Sequence, residues 1–496
     1  MSIARTFSKP TNLLICLLVL VTISRIPLFY PDSAILDGDE AILGLMSFSQ
    51  LENGEMPWFF WGQRYGFTFV EVSAISCFQF LLGYHDYAVK LAMLCLWLIT
   101  IAGMFLFLKG QLNAKWAFVL VLVFAMHPTW YIWSIKARGG YHTAMLFSSW
   151  LFYFLSRANL KFWLKAALAG LCLAVIYHAM KLWFPPVMLI ALYLLWVGTN
   201  RKGYSMLILT CVYFITWAIL YRLSVLNPDY WKPEVSDISL FFRNLFLFQD
   251  RLSVFLKGHY FLGDYYLVKE VTVLTVSVGV GLVILAIILH LLRWQSEGHS
   301  LRLLFLIAAL ICLGPLLITN EFFSYRYLLP FPFFLIFWIA LQFKDIRFEK
   351  VWLILFLAMA VLFSIGSVQI THTEQFKKLS GERIGKMELA KRLMEDGYQH
   401  VFSSTTQTPW QLMYFSQFKI ICSGIYYHDR LEYIPKVVRD AYHNGESVPV
   451  LAGDPKEHLK LEPGFEPYGI QYIIKSPDTT QLKKLAFDLY VPKSKF

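Results

Sequence analysis

Residues 37–65 read DGDEAILGLMSFSQLENGEMPWFFWGQRY, and the reading of this stretch decides the reading of the chain. Asp37, Asp39 and Glu40 open it, and Ile42, Leu45, Met46 and Ser49 follow at helical spacing. Asn53-Gly54 ends the helical pattern, and Gln63, Arg64 and Tyr65 come soon after. Asp37 and Glu40 have the spacing of a capping box, and acids at a helix start are favoured by its dipole. Three acids exceed what capping needs. The segment from Glu40 to Glu52 is expected to be an amphipathic helix lying on a membrane surface.

The membrane comes from what flanks it. Of 496 residues, 57% are hydrophobic and only 16% charged. Apolar runs of about 20 residues, enough to cross a hydrocarbon core of roughly 30 Å, recur up to residue 370. A soluble protein is excluded. The net charge of +11 gives no support to nucleic-acid binding, because Lys and Arg fall mostly in short connections between apolar runs. Alternating those basic clusters predicts an all-α bundle of about eleven spans with the N-terminus cytoplasmic. The run Leu13 to Ile23 is followed by Arg25 and bulky residues, which points to an uncleaved first span. Residues 1–370 then form the membrane part, with outer loops at 31–83 and 222–270, the second read as a mobile lid. Residues 371–496 have the composition of a soluble α/β domain on the outer side, with strand-like runs at His400 to Ser403, Phe418 to Cys422 and Ile470 to Ile474. Six of the seven cysteines lie in apolar segments and read as small buried hydrophobes.

The topology brings cations to the level of the acids. Arg64, Arg138 in KARGGYH (136–142), Lys181 in YHAMKLW (177–183) and Arg326 in SYRYLLP (324–330) all fall at outer span ends. Charges at that depth are costly unless they snorkel, pair or bind something, and guanidinium forks suit phosphate oxygens. A carboxylate there is placed to act as general base on an acceptor hydroxyl or amine. Gln63, Tyr65, His142 and His178 are candidate substrate contacts. Gly139-Gly140 fits either a close backbone approach to a ligand or a tight turn. The histidines make no metal-ligand pattern, an Asp37/Asp39 metal site is weak, and no cofactor is expected. Asp429-Arg430 and Asp454 read as surface charges.

In their order, GDEAILGLM (38–46), NGEMPWFFWGQRYG (53–66), FQFLLG (78–83), KARGGYH and RYLLP resemble a known family. It is that of the C-type multi-span glycosyltransferases, the superfamily of dolichyl-phosphate-mannose protein mannosyltransferases and aminoarabinose transferases. The pattern is most like its bacterial branch resembling lipopolysaccharide galacturonosyltransferases. The resemblance implies inverting transfer of a sugar from a polyprenyl-phosphate donor to an envelope lipid, glycan or protein, outside the bacterial cytoplasmic membrane and without a metal. It makes Asp39 the base with Glu40 assisting, and sets Arg326 and Tyr327 against the lipid phosphate. Gly-Gln-Arg-Tyr stands where a Lys-Pro-Pro pattern is expected, which leaves sugar and acceptor open. The competing readings are a transporter or flippase and a non-catalytic protein that binds lipid-linked sugar. Transport is disfavoured by the lack of an internal repeat and by charges gathered at span ends.

Overall fold

A computed structural model describes residues 9–30, 34–227, 242–244, 269–292, 299–314, 325–344, 346, 349–424, 429–452, 472–474 and 488–492. Most of the expected lid at 222–270, and Asp454, lie outside the described residues. The first apolar run forms α1 (Pro10–Arg25), continued by a 3-10 turn (Ile26–Phe29). The acidic stretch forms α2 (Gly38–Asn53), followed by α3 (Phe69–Leu82) and α4 (Asp86–Gln111). Next come α5 (Ala114–Met126), α6 (Pro128–Trp133), α7 (Tyr141–Ser156), α8 (Phe162–Ala179), α9 (Phe184–Val197) and α10 (Lys202–Val225). The bundle closes with α11 (Lys269–Leu292), α12 (His299–Ile311), α13 (Pro330–Gln342) and α14 (Glu349–Ile370).

Among the described residues, five helices are long and apolar enough to cross a membrane: Pro10–Phe29, α4, α8, α10 and α14. Other apolar runs make shorter helices. The expected third span breaks at His127-Pro128 into α5 and α6, because proline lacks the donor that would continue the ladder. Leu207, Phe214, Ile215 and Ile219 of α10, like Ile354, Leu355 and Val361 of α14, point outward and exposed. Apolar surface on that scale needs lipid, so the protein is an integral membrane protein. Cys77 and Cys211 are exposed on such faces, so the reading of all six as buried holds for Cys172 and Cys312 but not for these two.

The break at Pro128 frees the carbonyls of Ala125 and Met126 from the helix ladder; Arg25 takes the first, and Ser367 Oγ donates to the second at 3.0 Å. Arg25 is fully buried, donating through Nη2 to Ala125 O and, at 3.3 Å, to Trp130 O, and through Nε to Ser134 Oγ at 3.2 Å. Its guanidinium lies 5.5 Å from the Tyr131 ring centroid.

Beyond the spans come α15 (Glu374–Glu395), β1 (His400–Ser403), α16 (Thr408–Phe415), β2 (Ile421–Gly424), α17 (Tyr433–His443), β3 (Val450–Ala452), β4 (Tyr472–Ile474) and β5 (Asp488–Pro492). The strands form one sheet in the order β2-β1-β3-β5-β4. Pairing is parallel from β2 through β1 to β3, with Val401 opposite Cys422 and Phe402 opposite Val450, and antiparallel beyond.

The structure corrects one expectation about α2. It is not a helix with one face left free of protein: α3 covers one side and α16 another. Gly38, every residue from Glu40 to Ser47, and Ser49 are buried, and a single core joins Leu43 and Met46 of α2 and Val72 of α3 to Leu389, Leu412, Met413 and Ile434. The ring of Tyr414 in α16 sits where a side chain on Gly44 would be, 2.3 Å from the position of its Cβ. Of the polar positions of α2, Ser47 donates to Gln79 Oε1 at 2.7 Å and Gln50 Oε1 accepts from Ser76 Oγ at 2.7 Å, both on α3, while Glu52 and Asn53 are exposed.

Arg25→Met removes the donor to two enclosed carbonyls and to Ser134 Oγ and is expected to destabilise the protein by about 2–4 kcal/mol. The thermal midpoint of purified protein in detergent reads this, with Arg25→Lys losing less; an unchanged midpoint for Arg25→Met shows that the carbonyls do not depend on the guanidinium.

Candidate active site

The first turn of α2 is the centre of the site. Asp37 is the N-cap: its Oδ1 accepts from Glu40 N at 3.0 Å, and Glu40 Oε2 accepts from Asp37 N at 3.2 Å, the reciprocal box that the spacing predicts. Gly54, in the left-handed region at φ 68°, ends the helix. Within this turn the three acids have different surroundings.

Glu40 has no exposed side-chain surface. It forms an ion pair with Lys90 of α4, accepts from Ala137 N at 3.1 Å, and stands 3.6 Å from Lys136 Nζ. Asp37 Oδ2 accepts from Lys136 Nζ at 2.6 Å and from Arg138 Nη2 at 2.8 Å. Burial pushes the Asp37 carboxyl up, but Arg138, Lys136 and the Glu40 amide outweigh it and hold the group well below the usual carboxylate range. Asp39 keeps 25% of its side chain exposed, so of Asp39 and Glu40 only Asp39 is open to a substrate. Its Oδ2 pairs with Arg138 and lies 3.6 Å from Arg326 Nη1; its Oδ1 lies 3.6 Å from Arg430 Nη2.

The loop between α6 and α7 carries Lys136 and Arg138, and it is fixed from three sides. Gly140 adopts φ +85°, and a Cβ there would meet Ala179 O at 2.1 Å, so glycine is required for the turn to pack on α8. Glu71 at the start of α3 accepts from Thr143 N at 2.9 Å and Thr143 Oγ1 at 2.5 Å, anchoring the first turn of α7. His142 is fully enclosed, with Nε2 3.1 Å from Lys136 O. Burial works against the Arg138 guanidinium, but Asp37, Asp39 and Glu40 more than offset it, and Arg138 holds its proton more tightly than an ordinary arginine.

Of the residues singled out in the sequence, the fold gathers Asp37, Asp39, Glu40, Arg138 and Arg326, with Tyr327 5.5 Å from the Arg326 guanidinium. Arg64 and Lys181 are not drawn into ion pairs with the acids among the described residues. Arg64 is exposed and reaches Asn227 O at 3.4 Å, while Lys181 Nζ lies 5.9 Å from the centre of the Tyr65 ring. Gln63 O accepts from Asn227 Nδ2 at 2.8 Å. His178 serves through its carbonyl, which accepts from Gly66 N and Phe67 N, and its ring packs edge-on to Phe59.

Three members of the site were not singled out. Lys90 had a signal, since it is a lysine set within an apolar run, where a charge needs a partner, and Lys136 opens the KARGGYH motif two residues before Arg138. Arg430 had none. The reading of Asp429-Arg430 as surface charges is overturned: Asp429 is buried and accepts from Ser423 Oγ at 2.7 Å, and Arg430 reaches Asp39. Among the described residues, Lys90, Lys136, Arg138, Arg326 and Arg430 thus face Asp37, Asp39 and Glu40, five cations against three carboxylates, a surplus of two. The Nε atoms of Arg138 and Arg326 are buried without a hydrogen-bond partner among the same residues.

No protein-family model matches the chain, and neither does any curated protein. Solved structures do. ArnT from Cupriavidus metallidurans in the apo state superposes with a TM-score of 0.62 at 11% identity, over 97% of this chain and 98% of that one. The same protein bound to undecaprenyl phosphate gives 0.52 at 11% identity, over 96% and 97%. The Archaeoglobus fulgidus oligosaccharyltransferase tethered with an acceptor peptide gives 0.47 at 10% identity, over 89% of this chain and 69% of that one. The described residues therefore have the fold of ArnT.

Because the folded Asp37 carboxyl titrates below its ordinary range, the stability it contributes is complete above about pH 4 and is lost as pH falls further. Asp37→Asn is therefore expected to lower the thermal midpoint at pH 7, with the gap to wild type narrowing below about pH 4. A gap that stays constant with pH removes the ion pairs of Asp37 as its source.

Proposed function

We propose that the chain is a membrane glycosyltransferase that moves a sugar, with inversion, from a polyprenyl-phosphate donor to a hydroxyl or amine of an envelope lipid, glycan or protein. The observation that carries this reading is the surplus of two positive charges beside a partly exposed carboxylate at one mouth of a membrane bundle. A phosphate supplies the missing negative charge, and its lipid chain has apolar helix faces to lie against. The fold adds support, since ArnT has been crystallised bound to undecaprenyl phosphate. On this reading the mouth faces the outside of a bacterial cytoplasmic membrane, with the N-terminus within the cell.

In the proposed reaction Asp39 takes the proton from the acceptor as its oxygen or nitrogen bonds to the anomeric carbon. The bond from that carbon to the phosphate oxygen breaks, and its electron pair stays on the polyprenyl phosphate. A single displacement from the opposite face inverts the anomeric centre. The leaving group is already a phosphate, so no acid has to protonate it; Arg326, with Tyr327 beside it, and Arg138 meet the charge that develops there. Glu40 is enclosed and acts through Lys90 and Lys136 as a positioning residue. Asp37 does the same while fixing Arg138.

The test is transfer of radiolabelled sugar from a panel of polyprenyl-phosphate sugars in membranes carrying the chain. Asp39→Asn is expected to lower kcat by about 100-fold or more, as loss of a general base does. Arg326→Ala is expected mainly to raise KM for the donor, by about tenfold for one charge-assisted contact. Full activity of Asp39→Asn sinks its role as base, and no transfer by wild type with any donor sinks the reaction class.

A further inference from the structure

Arg430 is held in place by contacts unrelated to Asp39. The buried Asp429 carboxylate accepts from Ser423 Oγ at 2.7 Å and Gly424 N at 3.2 Å, which fixes the chain just before Arg430 to the end of β2. Arg430 Nη1 donates to Trp61 O at 3.2 Å, and the guanidinium lies 4.7 Å from the centre of the Phe60 ring. Gly62 makes the approach possible: at φ +71°, a Cβ on it would fall 3.0 Å from Arg430 Cα and 2.9 Å from Arg430 Cβ. The segment WGQRY of the first outer loop and the region after β2 are thus fitted to each other at this point.

So fixed, Arg430 stops short of its counter-ion. Its Nη2 is 3.6 Å from Asp39 Oδ1, too far for a hydrogen bond, and Arg326 stands off Oδ2 by the same 3.6 Å. Arg138 already satisfies Asp39 directly. Two guanidiniums therefore flank one carboxylate without bonding to it, and the Nε of Arg326 is buried without a hydrogen-bond partner among the described residues. Burial lowers the proton affinity of Arg430, with Asp39 and Tyr65 opposing and Arg326 and Arg138 adding to the effect. Two partly desolvated guanidiniums beside one carboxylate that is already paired with Arg138 are short of negative charge, which a further anion would supply.

We propose that Arg430 binds the donor phosphate together with Arg326, so that the C-terminal region completes the donor site instead of only covering it. This inference rests on the polyprenyl-phosphate reading above and deepens it. A planar fork on each side suits the non-bridging oxygens of one phosphate, which replaces Asp39 as the near partner of both arginines and leaves Asp39 to the acceptor.

Binding of undecaprenyl phosphate and of neutral undecaprenol to the purified full chain in detergent tests it, using wild type, Arg430→Gln, Arg430→Lys and Gly62→Ala. Wild type is expected to prefer the phosphate. Arg430→Gln is expected to weaken phosphate binding about tenfold, the equivalent of one charge-assisted hydrogen bond, while undecaprenol binding stays the same. Arg430→Lys recovers part of the loss. Gly62→Ala, which pushes an intact Arg430 away, reproduces the preference of Arg430→Gln. If Arg430→Gln keeps the wild-type preference, or loses both ligands equally, Arg430 is not a phosphate ligand. If wild type itself shows no preference for the phosphate, the donor reading fails first.

Discussion

Everything at the mouth of the bundle depends on two buried lysines meeting the first turn of α2. Lys90 comes from α4 and Lys136 from the loop before α7, and both end on the carboxylates of Glu40 and Asp37. A lysine buried at this depth is costly alone, and so is a fully enclosed glutamate; each is tolerable because the other is present. The capping box uses the remaining lone pairs of the same carboxylates, so a helix start, a membrane helix and an interhelical loop are fixed by one set of charges. Asp39, between the two, is the most open of the three acids.

That division of labour explains why three acids sit so close together. Two of them neutralise cations that hold the scaffold, and their own charge is used up in doing so. The third stands among three arginines contributed by three separate parts of the chain: the loop at Arg138, the turn at Arg326 before α13, and the segment at Arg430 after β2. Because the contributors are far apart in sequence, the positive field around Asp39 exists only in the folded chain. On the proposed reading it is a field prepared for a phosphate and costs no reorganisation when the leaving group's charge develops.

The sequence made much of this legible. Apolar runs and basic connections announced a membrane bundle, the Asp37–Glu40 spacing announced the cap, and Asn53-Gly54 marked the end of α2. Arg138 and Arg326 were found because a charge at the end of an apolar run needs a reason. The same rule, applied inside the runs, points to Lys90, and Lys136 stands two residues from Arg138 in the same motif. What was not legible depends on long-range packing. The spacing of α2 reads as a membrane-surface helix because periodicity shows that one face is apolar, not what covers it; the answer, α3 on one side and Tyr414 of α16 on another, comes from residues far along the chain. Arg430 lies in a region where charges are ordinary, and nothing near it in sequence marks it. Gly62 was visible as part of GQRY, but its reason, the backbone of Arg430 against its Cα, belongs to the tertiary fold alone.

The most direct measurement is an experimental structure, by electron cryomicroscopy, of the full chain with undecaprenyl phosphate. The account predicts the phosphate beside Asp39, within hydrogen-bond distance of Arg326 and Arg430, with Lys90 and Lys136 still on Glu40 and Asp37. A phosphate bound elsewhere on the bundle, with Arg326 and Arg430 unmoved and without contact to it, would contradict it.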